Sequence, residues 1–357
     1  MKWGAGMDRI RTDDQGLQES FGRFGFVTCS PNVTAMLRRA RKAASASDIT
    51  VLLQGETGSG KQVLAQGIHQ LDEKRSPYSF VTVHCSIINE ALAESELFGH
   101  QRGAFSGALT SRKGLFQAAE HGTIFLDDVN DLPGVLQPKL LDAIQRRTVR
   151  PVGSDRELPV DVRIIAACNQ ALEPLVQQGR FRADLYHRLN VVKLSLPPLR
   201  DRGSDFPILI LALAKRHSHL YACGSIEEVD ARLVTYLQTE QFPGNVRELE
   251  NTVQRMMFSK TSGATLSLDD WIAQAEQEDE VAVSCDLLGA AASALWKVIS
   301  QRGVPYARAF QEMERRILET ALSADGSTRQ QVARRLQTSE RTLYYKMRAH
   351  RLRGPAA

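Results

Sequence analysis

The sequence predicts an α/β chain: a P-loop domain built on a parallel sheet flanked by helices, a smaller α-helical lid, and a C-terminal all-α helix-turn-helix. Three observations predict it. Gly55-Glu56-Thr57-Gly58-Ser59-Gly60-Lys61 fits the G-x-x-x-x-G-K spacing of a phosphate-binding loop, with an apolar run before it and a helical pattern after it. Further apolar runs end in polar residues, as buried parallel strands do when they lead into a site. Residues 306–357 carry eleven Lys and Arg against five Asp and Glu, a net +6 in a chain whose total is +4. The remainder, residues 1–305, is thus at −2, and a basic module on a slightly acidic body points to a polyanion as its partner.

Length and composition exclude several classes. The 357 residues suffice for two or three domains, and 43% hydrophobic with 24% charged residues is ordinary for a globular protein. No apolar run approaches the roughly 20 residues of a membrane span. Met1-Lys2-Trp3-Gly4 lacks the apolar core of a secretory signal, so a cytoplasmic protein is expected. The five cysteines (Cys29, Cys85, Cys168, Cys223, Cys285) form no C-x-x-C pair. Reduced, mostly buried thiols are expected, with neither a disulfide framework nor a zinc site.

Residues 1–26 read as a short polar leader of little periodicity. A helix is expected from Asn32 to Ala46, with Met36, Leu37, Ala40 and Ala43 on one face. Ile49–Leu53 is then a strand, and Gln62–His69 a helix that opens at the glycine loop. There the backbone N–H groups and the helix N-terminus favour an anion, and Lys61 reaches the β- and γ-phosphates of a nucleotide. Gln62 occupies the place of the Ser/Thr that holds Mg²⁺ in a generic P-loop. Tyr78–Val83 is a second strand, and Glu90–Phe98 a helix. Gly103-Ala104-Phe105-Ser106-Gly107-Ala108 follows in a polar loop. It reads either as a mobile loop presenting one apolar side chain or as a plain hairpin turn with Phe105 folded inward. Thr123–Asp128 is a strand ending in two carboxylates: Asp127 is placed to hold Mg²⁺ and Asp128 to orient and deprotonate water, unless they merely cap a helix. Val162–Asn169 is another buried strand, whose Asn169 can bond a γ-phosphate or the attacking water. Phe181–Leu189 is helical in pattern and carries Arg182 and Arg188, which are surface charges in a monomer and candidates to reach a neighbour's nucleotide in a ring.

Pro197-Pro198 marks a boundary. Residues 27–196 are the α/β part and 197–272 the helical lid, where Pro243-Gly244-Asn245 starts a helix bearing Arg247. Residues 273–305 hold an acidic patch (Glu276, Glu278, Asp279, Glu280) and many small residues, and read as a linker. In residues 306–357, Phe310, Met313, Ile317, Ala321 and Leu322 form a helical stripe. Ser327 can cap a second helix, Thr328–Leu336, and Ser339 a third, Glu340–Arg348. Two short helices separated by Gln337-Thr338, with Ala333 small enough for a close crossing, fit a helix-turn-helix. The third would enter a major groove of double-stranded DNA, with Arg341, Thr342, Tyr345, Lys346 and Arg348 as contacts and Leu343 and Met347 packed inward.

Through these motifs the chain resembles bacterial sigma-54-dependent transcriptional activators, enhancer-binding proteins of the AAA+ class, over about residues 27–272 and 306–353. Gly103–Ala108 is similar to the family's GAFTGA loop, which contacts sigma-54. The resemblance makes Gly55–Lys61 the Walker A loop, where the next residue is not Ser/Thr in the family either, so that Gly55, Glu56, Thr57, Gly58, Ser59, Gly60, Lys61 and Gln62 would bind ATP. It makes Asp127 and Asp128 Walker B, Asn169 sensor I, Arg182 and Arg188 the arginine fingers and Arg247 sensor II. It implies a ring, usually a hexamer, with ATP and Mg²⁺ at subunit interfaces and hydrolysis driving remodelling of the sigma-54 RNA polymerase. The absence of a receiver or sensory domain resembles stand-alone members, including those that control type III secretion genes, which are regulated by a partner protein or by their own expression. Three residues depart from the family pattern. Ser106 replaces Thr, Asp128 replaces Glu with a carboxylate set back by about 1 Å, and His84 stands where an Asn holds that Glu. A compensating Asp128–His84 contact is therefore expected. The rival reading is an ATP-binding but weakly hydrolysing DNA-binding regulator, independent of sigma-54 or a partner in a mixed ring. A metabolic P-loop kinase leaves the Phe105 loop, the arginine pair and the basic tail without a role.

Overall fold

The computed structural model describes residues 3–86, 90–221, 224–260, 262–273, 295–296, 299–300, 305–323, 329–336, 338, 340–350 and 352. They fall into two units, Met1–Gln274 and Ala275–Ala357. No helix among the described residues is long and apolar enough to cross a membrane.

In chain order the first unit contains α1 (Trp3–Gly22), α2 (Pro31–Ala44), β1 (Val51–Gln54), α3 (Lys61–Gln70), β2 (Phe80–His84) and α4 (Glu90–Phe98). A hairpin of β3 (Gly99–His100) and β4 (Arg112–Lys113) follows, then α5 (Leu115–Ala118), β5 (Thr123–Asp127) and α6 (Gln137–Arg146). A second hairpin, β6 (Thr148–Val149) with β7 (Leu158–Pro159), precedes β8 (Arg163–Cys168), α7 (Glu173–Gln177), α8 (Ala183–Leu189) and β9 (Val192–Ser195). Five strands form one parallel sheet in the order β2-β5-β8-β1-β9.

Side-chain alternation along the strands feeds two cores, one on each face. Leu52, Ile124, Leu126, Ile164 and Ala166 join the core with α4, α6 and α8. Val51, Leu53, Phe125, Ile165 and Ala167 join the core with α2 and α3. Apolar residues on both faces are the reason these strands are continuous apolar runs in the sequence.

Residues 1–26 are not a featureless leader. Trp3–Gly22 is a 20-residue helix whose Leu17 and Phe21 are buried in the second core. Phe21 packs on α3, where a Cβ added to Gly67 would lie 2.9 Å from the Phe21 ring. Two apolar anchors near one end of a polar helix leave too weak a period to read. The helix expected from Phe181 begins at Ala183 with Arg182 as its N-cap, so Arg182 lies outside the helical turn. The lid is α9 (Phe206–His217), α10 (Ala231–Thr239) and α11 (Asn245–Ser259) around its own core, with a two-residue strand pair, β10 (Glu228–Val229) and β11 (Thr265–Leu266), that the helical pattern hid.

In the second unit, helices Tyr306–Ser323, Arg329–Arg335 and Glu340–Ala349 bury Leu318, Val332, Ala333, Leu343 and Met347 together. Ala333 is the small residue at the crossing, and its carbonyl accepts from Thr338 N at 2.9 Å. The expected caps Ser327 and Ser339, and most of the linker 273–305, lie outside the described residues.

Phe21→Ala is expected to destabilise the first unit by about 3–5 kcal/mol, read from the urea midpoint. A loss below about 1 kcal/mol would mean that α1 does not dock on α3 in solution.

Candidate functional site

The glycine loop leaves β1 at the carboxyl edge of the sheet, and Gly55 N donates to Cys168 O of β8 at 3.2 Å. Gly58 and Gly60 have φ of +74° and +102°, a region that favours glycine. α3 starts at Lys61, so its N-terminus faces the loop. Thr57, Gly58, Ser59, Gly60, Lys61 and Gln62 line a cleft of about 280 Å³ together with Asp127, Asp128 and Arg247. Lys61 is buried, and its Nζ donates to Gly55 O at 2.8 Å and Glu56 O at 3.1 Å. Burial pulls its pKa down, against the pull of Asp128 and Asp127 upward. Ser59 Oγ is buried with no hydrogen-bond partner among the described residues, an orphan that an anionic ligand can satisfy.

The strand register places the carboxylates. Asp127 ends β5 opposite His84, the last residue of β2. Asp128 has φ +51° and ψ +51°, a left-handed conformation that Asp tolerates better than most residues. Both line the cleft opposite Lys61, and their oxygens are the hard donors Mg²⁺ takes, one or two at a time beside phosphate oxygens. The residues present therefore fit Mg²⁺ bound together with a nucleotide. The expected Asp128–His84 contact is replaced by another: His84 Nδ1 lies 3.4 Å from Asp127 Oδ2. Parallel pairing sets residues 84 and 127 side by side, and the chain turns away at 128. Asn169 follows the end of β8, and its N–H donates to Asn130 Oδ1 at 3.3 Å.

Arg182 and Arg188 are exposed and absent from the lining of their own cleft. Arg182 N donates to Gln137 Oε1 at 2.9 Å, which fixes its backbone, and its guanidinium makes two bonds to Asp184 at 3.0 and 2.7 Å. Arg247 on α11 does line the cleft.

Gly103–Ala108 caps the β3–β4 hairpin, with Gly103 N donating to Ala108 O at 2.8 Å. Gly103 and Gly107 take φ of +83° and +107°. Phe105 is exposed, as the reading of a presented apolar side chain expects, rather than folded into the core, and it leans edge-on against His100, ring centroids 5.0 Å apart. Ala104 rests against Gly153 of the β6–β7 hairpin, where a Cβ would come within 2.8 Å.

Three residues of the site escaped the sequence reading. Phe26 lies against Gly60 and Arg202 is buried with its Nη2 on Ser59 O at 3.1 Å. Asn245 is buried and bonds the loop. Pro243-Gly244-Asn245 was visible only as a helix start, the role this residue order suggests locally.

In the C-terminal unit, Thr342, Tyr345, Lys346 and Arg348 are exposed on the third helix; nothing is described for the side chain of Arg341. Lys346 is turned back: its ammonium pairs with Glu314 of the first helix, which His350 also reaches at 2.8 Å. Tyr345 and Arg348 lie on the side of the helix away from Leu343 and Met347.

Residues 26–195 match the sigma-54 interaction domain, residues 200–284 the AAA+ ATPase lid domain, and residues 309–350 the bacterial regulatory protein, Fis family. The chain is 42% identical over 265 residues to the transcriptional regulatory protein GlrR of Escherichia coli K12, across 73% of this chain and 58% of GlrR. It is 44% identical over 247 residues to the anaerobic nitric oxide reductase transcription regulator NorR of Escherichia coli, across 69% of this chain and 48% of NorR. It therefore spans about half the length of these relatives. A crystal structure of NtrX from Brucella abortus in complex with ATP superposes with a TM-score of 0.60 at 25% identity, covering 91% of this chain and 69% of that one.

Cys85 and Cys168 are both pushed up to about 12, chiefly by burial, with Asp127 adding to the effect at Cys85. A raised thiol pKa leaves about one thiolate in ten thousand at pH 8. Both are expected to stay unmodified by iodoacetamide in the native protein at pH 8 and to react once it is unfolded, as peptide mapping would show.

Proposed function

The chain belongs to the family of sigma-54-dependent transcriptional activators, and from that premise we propose that it hydrolyses ATP in a ring to remodel sigma-54 RNA polymerase in the cytoplasm. The observation that carries this reading is a division of labour. Lys61, Asp127, Asp128 and Arg247 converge on one cleft, while Arg182 and Arg188 stand exposed outside it. Arg202 and Arg216 also line the cleft, but Arg202 is turned onto Ser59 O and Arg216 onto Glu250, which leaves a finger to come from a neighbour.

Each group then has a task. Lys61 leaves the Gly55 and Glu56 carbonyls for the β- and γ-phosphates. Asp127 would hold Mg²⁺, which when bound would supply charge neutralisation on the phosphates. Asp128 orients the attacking water and takes its proton, and Asn169 bonds the γ-phosphate or that water. Arg247 contacts the nucleotide from the lid. Arg182 and Arg188 of one subunit act on the nucleotide of the next, in a ring of the kind that is usually a hexamer in the family. The hairpin tip Gly103–Ala108 carries the resulting movement to sigma-54 through Phe105, with Ser106 supplying the hydroxyl. The C-terminal helices hold an upstream DNA site, and a regulatory protein acting in trans is a further partner.

Steady-state ATPase activity should rise cooperatively with protein concentration and collapse in Arg182→Ala. Activity proportional to concentration and indifferent to Arg182 would remove the ring. A second reading is favoured by the short, left-handed Asp128 and by His84 lying on Asp127 rather than beside Asp128. In it the chain binds ATP but turns it over slowly, acting without sigma-54 or within a mixed ring. Tight ATP binding with negligible turnover, restored on the order of 100-fold by Asp128→Glu, would select that reading.

DNA binding by the C-terminal unit should weaken steeply with salt. Arg348→Ala should reduce the slope of log affinity against log salt by about one. Lys346→Ala should change it less, because its charge is already shared with Glu314. Equal slopes for all three proteins in a fluorescence-anisotropy titration would count against this face.

A further inference from the structure

The five carbonyls of the loop from Gly55 to Ser59 are each held by a donor. Lys61 Nζ takes the first two, Gly55 O and Glu56 O. Asn245 Nδ2 donates to Thr57 O at 3.0 Å, Val246 N to Gly58 O at 3.1 Å, and Arg202 Nη2 to Ser59 O at 3.1 Å. A carbonyl fixed from outside turns its peptide plane, and the adjoining N–H faces the other way. The donors differ in one respect. Lys61 must let go when a phosphate arrives, whereas the other three belong to the lid or to the segment joining it and can stay.

Asn245 is the hub of this arrangement. Its Oδ1 accepts from Leu199 N at 2.8 Å, at the joint between the two subdomains. Its Nδ2 reaches Thr57 O and also Glu56 Oε2 at 3.1 Å. Its φ of +55° makes it one of the few non-glycine residues in the left-handed region. Outside it, Arg200 grips the Glu56 carboxylate with two bonds of 2.9 and 2.6 Å. The approach is close: a Cβ on Gly58 would sit 2.1 Å from Gly244 O. Glu56, Arg200 and Asn245 do not line the cleft.

We propose that Asn245, with Glu56 and Arg200 beside it, is a latch through which the lid sets the shape of the nucleotide loop, so that nucleotide affinity depends on contact between lid and loop. The proposal rests on the nucleotide-site reading above. All three act through the loop backbone and are positioning residues.

The test uses the full chain. ADP affinity is measured by titration calorimetry with Mg²⁺ present, hydrogen exchange over residues 55–61 by mass spectrometry, and kcat and KM for ATP by steady-state assay. Asn245→Gly keeps the left-handed backbone and removes the amide. It should weaken ADP binding about 10- to 100-fold, speed exchange in the loop, and raise KM more than it lowers kcat. Asn245→Asp keeps the acceptor for Leu199 but loses the amide's donations to Thr57 and Glu56, and should behave like Asn245→Gly. Arg200→Ala, at the exposed end, should weaken binding by about 3-fold and loosen the same peptide. Wild-type affinity and exchange in Asn245→Gly would overturn the latch. Where the Asn245 variants fail to fold, unchanged affinity and exchange in Arg200→Ala would overturn it instead. A wild-type chain that binds no ADP would overturn the nucleotide-site reading, and the exchange of residues 55–61 would still decide for or against the latch.

Discussion

The parallel pairing of β1 with β8, and of β8 with β5, is the constraint on which the site depends. Parallel strands carry their carboxyl ends to one edge, and here that edge releases the glycine loop, Asp127 and Asn169, the loop and Asp127 lining one crevice. The ladder runs one residue past the strands on either side: Gly55 N reaches Cys168 O, and Cys85 N reaches Asp127 O at 3.0 Å. These bonds fix where the loop begins and where the carboxylates emerge. Nothing in the loop's own sequence sets that distance.

The opposite edge of the sheet is held differently. Arg163 opens β8 fully buried, pairs with buried Asp72, and donates to Ala44 O at 3.2 Å and Ala43 O at 2.7 Å at the end of α2. Arg75, also buried, ties Asp48 and Asp161, each at 2.7 Å. A pair buried on both sides, as Arg163–Asp72 is, gains little net stability, but removing one partner strands the other at a cost of about 3–5 kcal/mol. The edge away from the site is thus locked by charge, while the functional edge is held by backbone bonds and by lid contacts that can be remade.

Much of this was legible in the sequence, and the exceptions share a cause. β5 and β8 announce themselves because both faces are buried, so alternation collapses into an apolar run. The inward Leu343 and Met347 follow from helical spacing alone. What spacing cannot supply is partnership across the fold. His84 meets Asp127 because of strand register, a property of two segments some forty residues apart. Lys346 is spoken for by Glu314 on another helix. Arg182 stands at the N-cap of its helix, extended, with its N–H held by Gln137 of another helix. Asn245 looked like punctuation at a helix start; its burial and its grip on the loop exist only once lid and sheet are folded together.

The left-handed backbone of Asp128 has a consequence for how this position can vary over generations. Asp, Asn and Gly are the residues that visit that region at small cost, whereas longer side chains carry about 1–2 kcal/mol of steric penalty there. A single-nucleotide step from Asp to Asn would leave the turn, the strand ending and the neighbouring Asp127 undisturbed while erasing the charge. The position is therefore poised for quiet divergence: a lineage could lose this carboxylate while keeping the backbone conformation that the turn requires.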